Sequence, residues 1–341
     1  MMFRKLIKTI LAIGILGLIS LAAPHFVHAA GAGFTITPIA SKQQNDSSVS
    51  YFDLKLKPNQ TAQVKVKITN TTTKTLNLIA SPNTGYTTDS GSVAYDLQKL
   101  GSKSTAPYQL QTLMGGQQKI AVPAKSQRVV TFPIKMPATS FKGVLDGAIY
   151  FLNPQTSGST VTNKKGFSIK NRFAMALGVT IHEDTKTTVL PKLTLGTISA
   201  GTDQNDTFSP AVKVKINNTH ATLTKKLKIK SQVSQNGKTL FKTNTSNLTM
   251  AANSNFNYAI TTNHIALKAG TYHLHLVARS GSQKWTFSRN FVITKAQAKT
   301  ANRHARVKKS YFIWYILAIL LVLLLLLTAF WFGRRSSKQK K

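Results

Sequence analysis

The chain has 341 residues, no cysteine, and 45 Lys+Arg against 9 Asp+Glu, a formal net charge of +36. The cysteine count excludes disulfides and thiolate chemistry, and so basic a balance bears on solubility and partners rather than on fold. Nucleic acid is set aside as a partner, since the chain opens on an export signal and lacks a nucleic-acid-binding fold signature, which leaves anionic wall polymers and lipid headgroups.

At the N-terminus Arg4, Lys5 and Lys8 precede an apolar run from Ile10 to Ala23, and Val27-His28-Ala29 offers small residues to a signal peptidase. Residues 1–29 therefore read as a signal peptide, with an uncleaved anchor as the alternative. Strand-like runs follow at 51–56 and 62–69. In the second, Val64, Val66 and Ile68 alternate with Gln63, Lys65, Lys67 and Thr69, between turns at Pro58-Asn59 and Asn70-Thr71. Further runs lie at 127–135, 144–152 and 167–181. A second cycle opens beyond 184–191, with runs at 211–216, 225–233, 255–260, 271–279 and 283–293. AVKVKINNTH in that cycle echoes AQVKVKITNTT in the first. No amphipathic helix longer than two turns stands out except around 95–101.

Many short strands with regular turns predict an all-β chain of two tandem immunoglobulin-like β-sandwich domains plus a C-terminal transmembrane helix. The domains are placed at 30–185 and 186–294. Residues 295–310 read as a polar, basic stalk. The stretch YFIWYILAILLVLLLLLTAFWF (311–332) has no charge, is edged by aromatic residues and reads as the membrane span, with 333–341 as a basic cytoplasmic tail. The signal peptide places the large region outside a single-pass anchor. A disulfide-free, Lys-rich exported chain fits a Gram-positive cell surface, and the sequons at Asn59, Asn70, Asn217 and Asn247 then read as turn chemistry. The lysines face solvent or a polyanion; a basic surface is also what a proteome adapted to acid surroundings produces.

No enzyme constellation assembles. There is no G-x-S-x-G or H-E-x-x-H motif, and the acids Asp46, Asp53, Asp89, Asp96, Asp146, Glu183, Asp184, Asp203 and Asp206 are scattered in turns and at strand ends. His273 and His275 share a strand face, but with no third ligand in view they are expected to pack near Trp285. No catalytic, cofactor or metal residue is expected.

YFDLKLKPNQTAQVKVKITNTT (51–72), YTTDSGSVAYD (86–96) and VTFPIKMPATSFKGVLDGAIYFLN (130–153) resemble the first module of the WxL-interacting proteins of Gram-positive bacteria. LTMAANSNFNYAI (248–260) and LKAGTYHLHLVARSGSQKWTFSRNFVIT (267–294) are similar to the second. The chain departs from the family at Asn59, where Gly is usual in the Pro-turn; Asn tolerates the left-handed conformation needed there. The resemblance implies that module one binds peptidoglycan, that module two engages host extracellular-matrix or other extracellular ligands, and that secreted WxL-domain proteins are partners. Teichoic acids are a further expected partner of the basic surface.

A sugar polymer needs flat apolar faces and amide or carboxylate groups, and turn-rich segments lie at the surface. Tyr86, Asp89, Tyr95 and Asp96 are therefore the expected ligand-binding residues. Tyr51, Phe52 and Leu54 are expected to seat the first strand in the core while Asp53 satisfies a neighbouring turn, and Phe141, Gly143, Asp146 and Gly147 suggest a bulged strand turn. The reading is a non-enzymatic, membrane-anchored wall-binding scaffold. Its rivals are a binding or sensory subunit, disfavoured by the short tail GRRSSKQK, and a wall-modifying enzyme pairing Asp89 with Asp96 or Asp146.

Overall fold

The computed structural model describes residues 31–154, 172–204, 208–308 and 312–337, with side chains of the last segment described over 315–329. The expected signal peptide and Asp206 lie outside the described residues.

The first unit contains β1 (Phe34–Ile39), β2 (Phe52–Lys55), β3 (Thr61–Asn70), β4 (Leu76–Thr84), β5 (Tyr86–Thr87), β6 (Val93–Ala94), β7 (Gln118–Val122), β8 (Gln127–Lys135), β9 (Val144–Asn153) and β10 (Phe173–His182). Two sheets form, in the orders β1-β3-β8 and β2-β10-β9-β4-β7, while β5 and β6 make a separate ribbon. The alternation in β3 works as its pattern predicts. Val64, Val66 and Ile68 are buried and face Phe52, Leu54, Phe151 and Ile181 of the larger sheet across one core. Phe132 and Phe151 meet edge-on within it, with centroids 6.1 Å apart. The short helix α1 (Leu110–Leu113) closes one side with Leu110. Where a helix was expected around 95–101, the chain forms only a 3₁₀ turn at Gly101–Lys103. Asn59 has φ 60° at its turn, so the departure from Gly costs the backbone little.

The second unit holds β11 (Leu193–Thr202), β12 (Pro210–Asn218), β13 (Thr224–Gln235), β14 (Lys238–Met250), β15 (Asn255–Thr261), β16 (Gly270–Ser280) and β17 (Gln283–Ile293). Its sheets run β11-β12-β15 and β14-β13-β16-β17 and share a second core that includes Val214, Ile216, Ile229, Phe256 and Leu276. The sequence echo between the units has a physical basis. Asn70 and Asn218 each end a strand, each is buried, and each side-chain amide donates to carbonyls across its turn: Lys74, Val122 and Pro123 for Asn70, Thr222 and Ala251 for Asn218.

The expected stalk is corrected over its first part. Residues Lys295–Arg303 form α2, opened by a capping box between Thr294 and Gln297. Ala298 and Ala301, three apart on one face, are buried on the second core, and Asn302 brackets Leu267 with two hydrogen bonds of 2.9 Å. The chain lacks the long apolar side chains that announce an amphipathic helix; two alanines suffice because the helix lies close on β11. A further helix, α3, spans Phe312–Ser337, and its described side chains are exposed throughout. Among the described residues, no helix is long and apolar enough to cross a membrane.

The two units are joined by a dense junction. Val144 N donates to Ala221 O at 2.7 Å, Thr249 N to Gly91 O at 2.7 Å and Thr105 N to Asn253 O at 2.7 Å. Thr87 Oγ1 accepts from Ala251 N and meets Ser254 Oγ. Gly143 (φ 88°) lies so close that a Cβ would stand 2.2 Å from Ala221 O.

Candidate binding cleft

The strand pairing of the larger first sheet brings distant residues into one row. β2 runs parallel to β10 with Asp53 beside Thr180, and β10 runs antiparallel to β9 with Thr180 beside Asp146. Phe52, Leu54, Val179 and Ile181 take the core face, so Asp53, Thr180 and Asp146 share the opposite face, at about 4.8 Å between strands. His182 and Gly178 flank Thr180 on that face. Tyr51 lies over Gly178, where an added Cβ would meet the Tyr51 Cβ at 3.3 Å; the glycine leaves the room in which the ring sits. The segment 184–189 and residues 221–225 of the second unit wall off this floor, leaving a cleft of about 630 Å³.

The carboxylates differ in their surroundings. Asp53 is buried with both oxygens held: Asn45 Nδ2 donates to Oδ2 at 2.9 Å and His182 Nε2 to Oδ1 at 2.8 Å. Asp146 is equally buried and accepts from the Tyr95 hydroxyl at 3.4 Å. Burial pushes its pKa up to about 7, against the opposing pull of Tyr95 and of the Lys225 charge. The Tyr95 hydroxyl is itself pushed above its ordinary value by burial and by Asp146. The Tyr51 ring stays 38% exposed. The cleft therefore offers one open aromatic face, two fixed acceptors, a lysine and the hydroxyls of Thr180, Thr185, Thr188 and Thr222. That set suits a ligand carrying hydroxyl and amide groups. Among the described residues, no three His, Asp or Glu side chains gather to hold a metal ion.

Of the four residues expected to bind ligand, Tyr95 alone lines this cleft. Tyr86 is 7% exposed and donates to Asp96 Oδ1 at 2.8 Å, with Lys103 Nζ 5.5 Å from its ring centroid. Burial and Asp96 push its hydroxyl to about 12. Asp89 faces the second unit, accepting from Asn257 N at 3.0 Å and pairing with Lys213 Nζ at 3.7 Å. Asp96 is exposed and holds Tyr86. The loop is turn-rich as its composition says, and its Asp89–Gly91 part is pressed against the second unit while Ser90, Ser92 and Asp96 stay exposed.

Tyr51 corrects the expected core packing. Phe52 and Leu54 are in the core at 1% and 0% exposure, and the two-residue period of a strand sends Tyr51 and Asp53 the other way. That parity was the available signal for the cleft, and with it Asp146, followed by the small residue Gly147. The His273–His275 pair also faces away from Trp285: Trp285 stands opposite buried Ala278, while exposed His273 bonds Asn290 and Ser288.

Family models match in tandem. The WxL Interacting Protein peptidoglycan binding domain matches residues 34–153, and the WxL Interacting Protein host binding domain matches residues 164–303. No curated protein matches the chain. Among solved structures it is similar to the CupB2 chaperone of Pseudomonas aeruginosa, at 10% identity over 67% of this chain and 91% of that one, TM-score 0.24. It is also similar to the YadV chaperone, at 11% identity over 76% of this chain and 99% of that one, TM-score 0.24. At such scores these likenesses carry no weight.

Proposed function

The chain belongs to the WxL Interacting Protein family, and from that premise we propose that it is a non-enzymatic cell-surface protein whose first unit holds peptidoglycan in the cleft under Tyr51. The observation that carries this reading is the row Asp53–Thr180–Asp146 beneath an exposed tyrosine ring. A glycan strand with its N-acetyl groups and stem peptide would stack on the ring and donate to the carboxylates.

The wider reading makes the protein a membrane-anchored scaffold for WxL-domain proteins that also meets host extracellular ligands through the second unit. The paired sheets of each unit are read as tandem immunoglobulin-like sandwiches, divided near residue 185, with α2 docked on the second. The uncharged, aromatic-edged stretch 311–332 of the sequence, long enough for a hydrocarbon core of about 30 Å, supports a single-pass anchor. In this reading the bulk of the chain is outside the cell, against the wall, where anchoring raises effective concentration and weak contacts suffice.

The test is retention of the full chain on isolated sacculi, intact or stripped of teichoic acids, across a salt series. Retention on stripped sacculi at high salt that is lost in Tyr51→Ala and Asp53→Asn supports the cleft. Retention that disappears on stripping, or as salt screens the charge, would leave the basic surface as the holder and remove the peptidoglycan role.

One observation favours a second reading, wall cleavage: Asp146, pushed up to about 7, shares a row with Asp53 as an acid and its partner would. Release of soluble fragments from sacculi, abolished in Asp146→Asn, would establish it. Intact sacculi after long incubation would exclude it.

A further inference from the structure

The outer face of the β14-β13-β16-β17 sheet, turned away from the second core, is a groove of about 1240 Å³. On β13, Lys228 and Lys230 are exposed while Leu227 and Ile229 are buried. The register sets Lys228 beside Arg279 and Arg279 beside Lys284, a row of three cations across β13, β16 and β17. Lys242 on β14 stands opposite Gln232. With strands about 4.8 Å apart and alternate residues about 6.6 Å apart, the face is a grid of positive charge.

Its neutralisation is not local. The sequence has no acidic residue after Asp206, and Asp89, reaching over from the first unit, pairs with Lys213 on the other sheet. The hollow has a backbone cause. β13 and β14 slip register on both sides of Leu227, with Lys226 at φ 50° and Asn247 at φ 61°, and such bulges bend a strand and re-aim its side chains. The groove lining contains no Phe, Tyr or Trp, and the imidazole of His275 is its one aromatic ring, so it offers little for a neutral sugar or a nucleobase to stack on beside its cations. It offers cations interleaved with amides and hydroxyls.

We propose that this face binds a linear sulfated polysaccharide of the host surface. The proposal rests on the host-binding reading of the second unit and names its ligand class. Repeated sulfates meet the cation grid, the intervening hydroxyls meet Gln232, Asn244 and Asn247, and release of counterions drives association and makes it salt-dependent.

The experiment passes the full-length chain in detergent over immobilised heparin, chemically desulfated heparin and poly(glycerol phosphate) in a salt series. Variants are Lys228→Gln/Lys230→Gln/Arg279→Gln/Lys284→Gln, and the charge-keeping Lys228→Arg/Lys230→Arg/Lys284→Arg. The expected result is binding to heparin alone, at least about tenfold weaker and less salt-dependent in the glutamine variant and kept in the arginine variant, with retention on sacculi and melting temperature unchanged in both. Equal binding to desulfated heparin, an unaffected glutamine variant, or tighter binding to poly(glycerol phosphate) would overturn it; the last would assign the face to the wall. Host cells treated with glycan lyases separate the two readings. If heparin is not bound while treated and untreated cells hold the chain equally, the inference fails and the host-binding reading stands. If neither binds, both fail.

Discussion

The hydroxyl of Tyr95 reaches Asp146 Oδ2 at 3.4 Å and so ties the loop after β6 to the middle of the larger first sheet. This contact sets one wall of the cleft, and it is made to a carboxyl that burial holds near neutrality. The turn between β5 and β6, a few residues earlier, carries Asp89 to the second unit. Ligand contact at Asp146 and the seating of the units therefore share one piece of chain.

The Asp146 carboxyl sits above its unfolded value, about 3.9, at about 7 in the fold. Between these values the folded state binds more protons than the unfolded state, so stability falls as pH rises from about 4 to about 7 and is level above. Asp146→Asn is expected to remove that decline, raising stability at pH 8 by on the order of a few kcal/mol. Urea titrations of both proteins at pH 5 and pH 8 check it; parallel pH dependence in the two would refute the assignment.

Tyr51 and Tyr86 are expected to separate binding from stability. Tyr51→Ala removes a ring that is 38% exposed and should cost under about 1 kcal/mol of folding while abolishing retention on stripped sacculi. Tyr86→Phe removes the bond to Asp96 and should cost about 1 kcal/mol with retention intact. The opposite pattern in paired melting and pull-down measurements would move the site to the 84–96 loop.

Gly143→Ala is expected to loosen the junction. Its Cβ would stand 2.2 Å from Ala221 O at a φ of 88°, so the Val144–Ala221 bond must give way, at about 2 kcal/mol or more. Calorimetry should show a single transition in the parent separating into two in the variant. One unchanged transition would mean that the junction does not couple the units.

Asn302→Ala should leave the Leu267 amide and carbonyl without their partners and cost about 2 kcal/mol. Hydrogen exchange over 295–303 would report it as faster exchange in α2. Exchange in the parent as fast as in an isolated peptide would restore the stalk reading.

The strands with clean alternation were legible: β3 and β12 bury Val, Val, Ile at every second position and end in the same clamping Asn. Others were hidden for physical reasons. β4 is covered on both faces near its end, so LNLIASPNT shows no alternation there. β14 is rich in Thr, Asn and Lys because its outer face lines a polar groove, and its bulge breaks the period. The cleft was half legible. The parity of Tyr51 and Asp53 is written in the sequence, but their meeting with Asp146 depends on β2 running parallel to β10, a pairing between segments far apart in the chain that no local pattern specifies.

The docking of α2 has a mechanical consequence. Beyond it, Arg306 N donates to Phe208 O and Lys308 N to His264 O, so the chain is held to the second unit until four Cα steps before Phe312, a leash of at most about 14 Å. On the proposed anchored reading, with α3 in a bilayer, the second unit would have little room to swing. A pull applied to the wall would travel through both units in series, and the junction around Gly143 and Gly91 would bear the load in full.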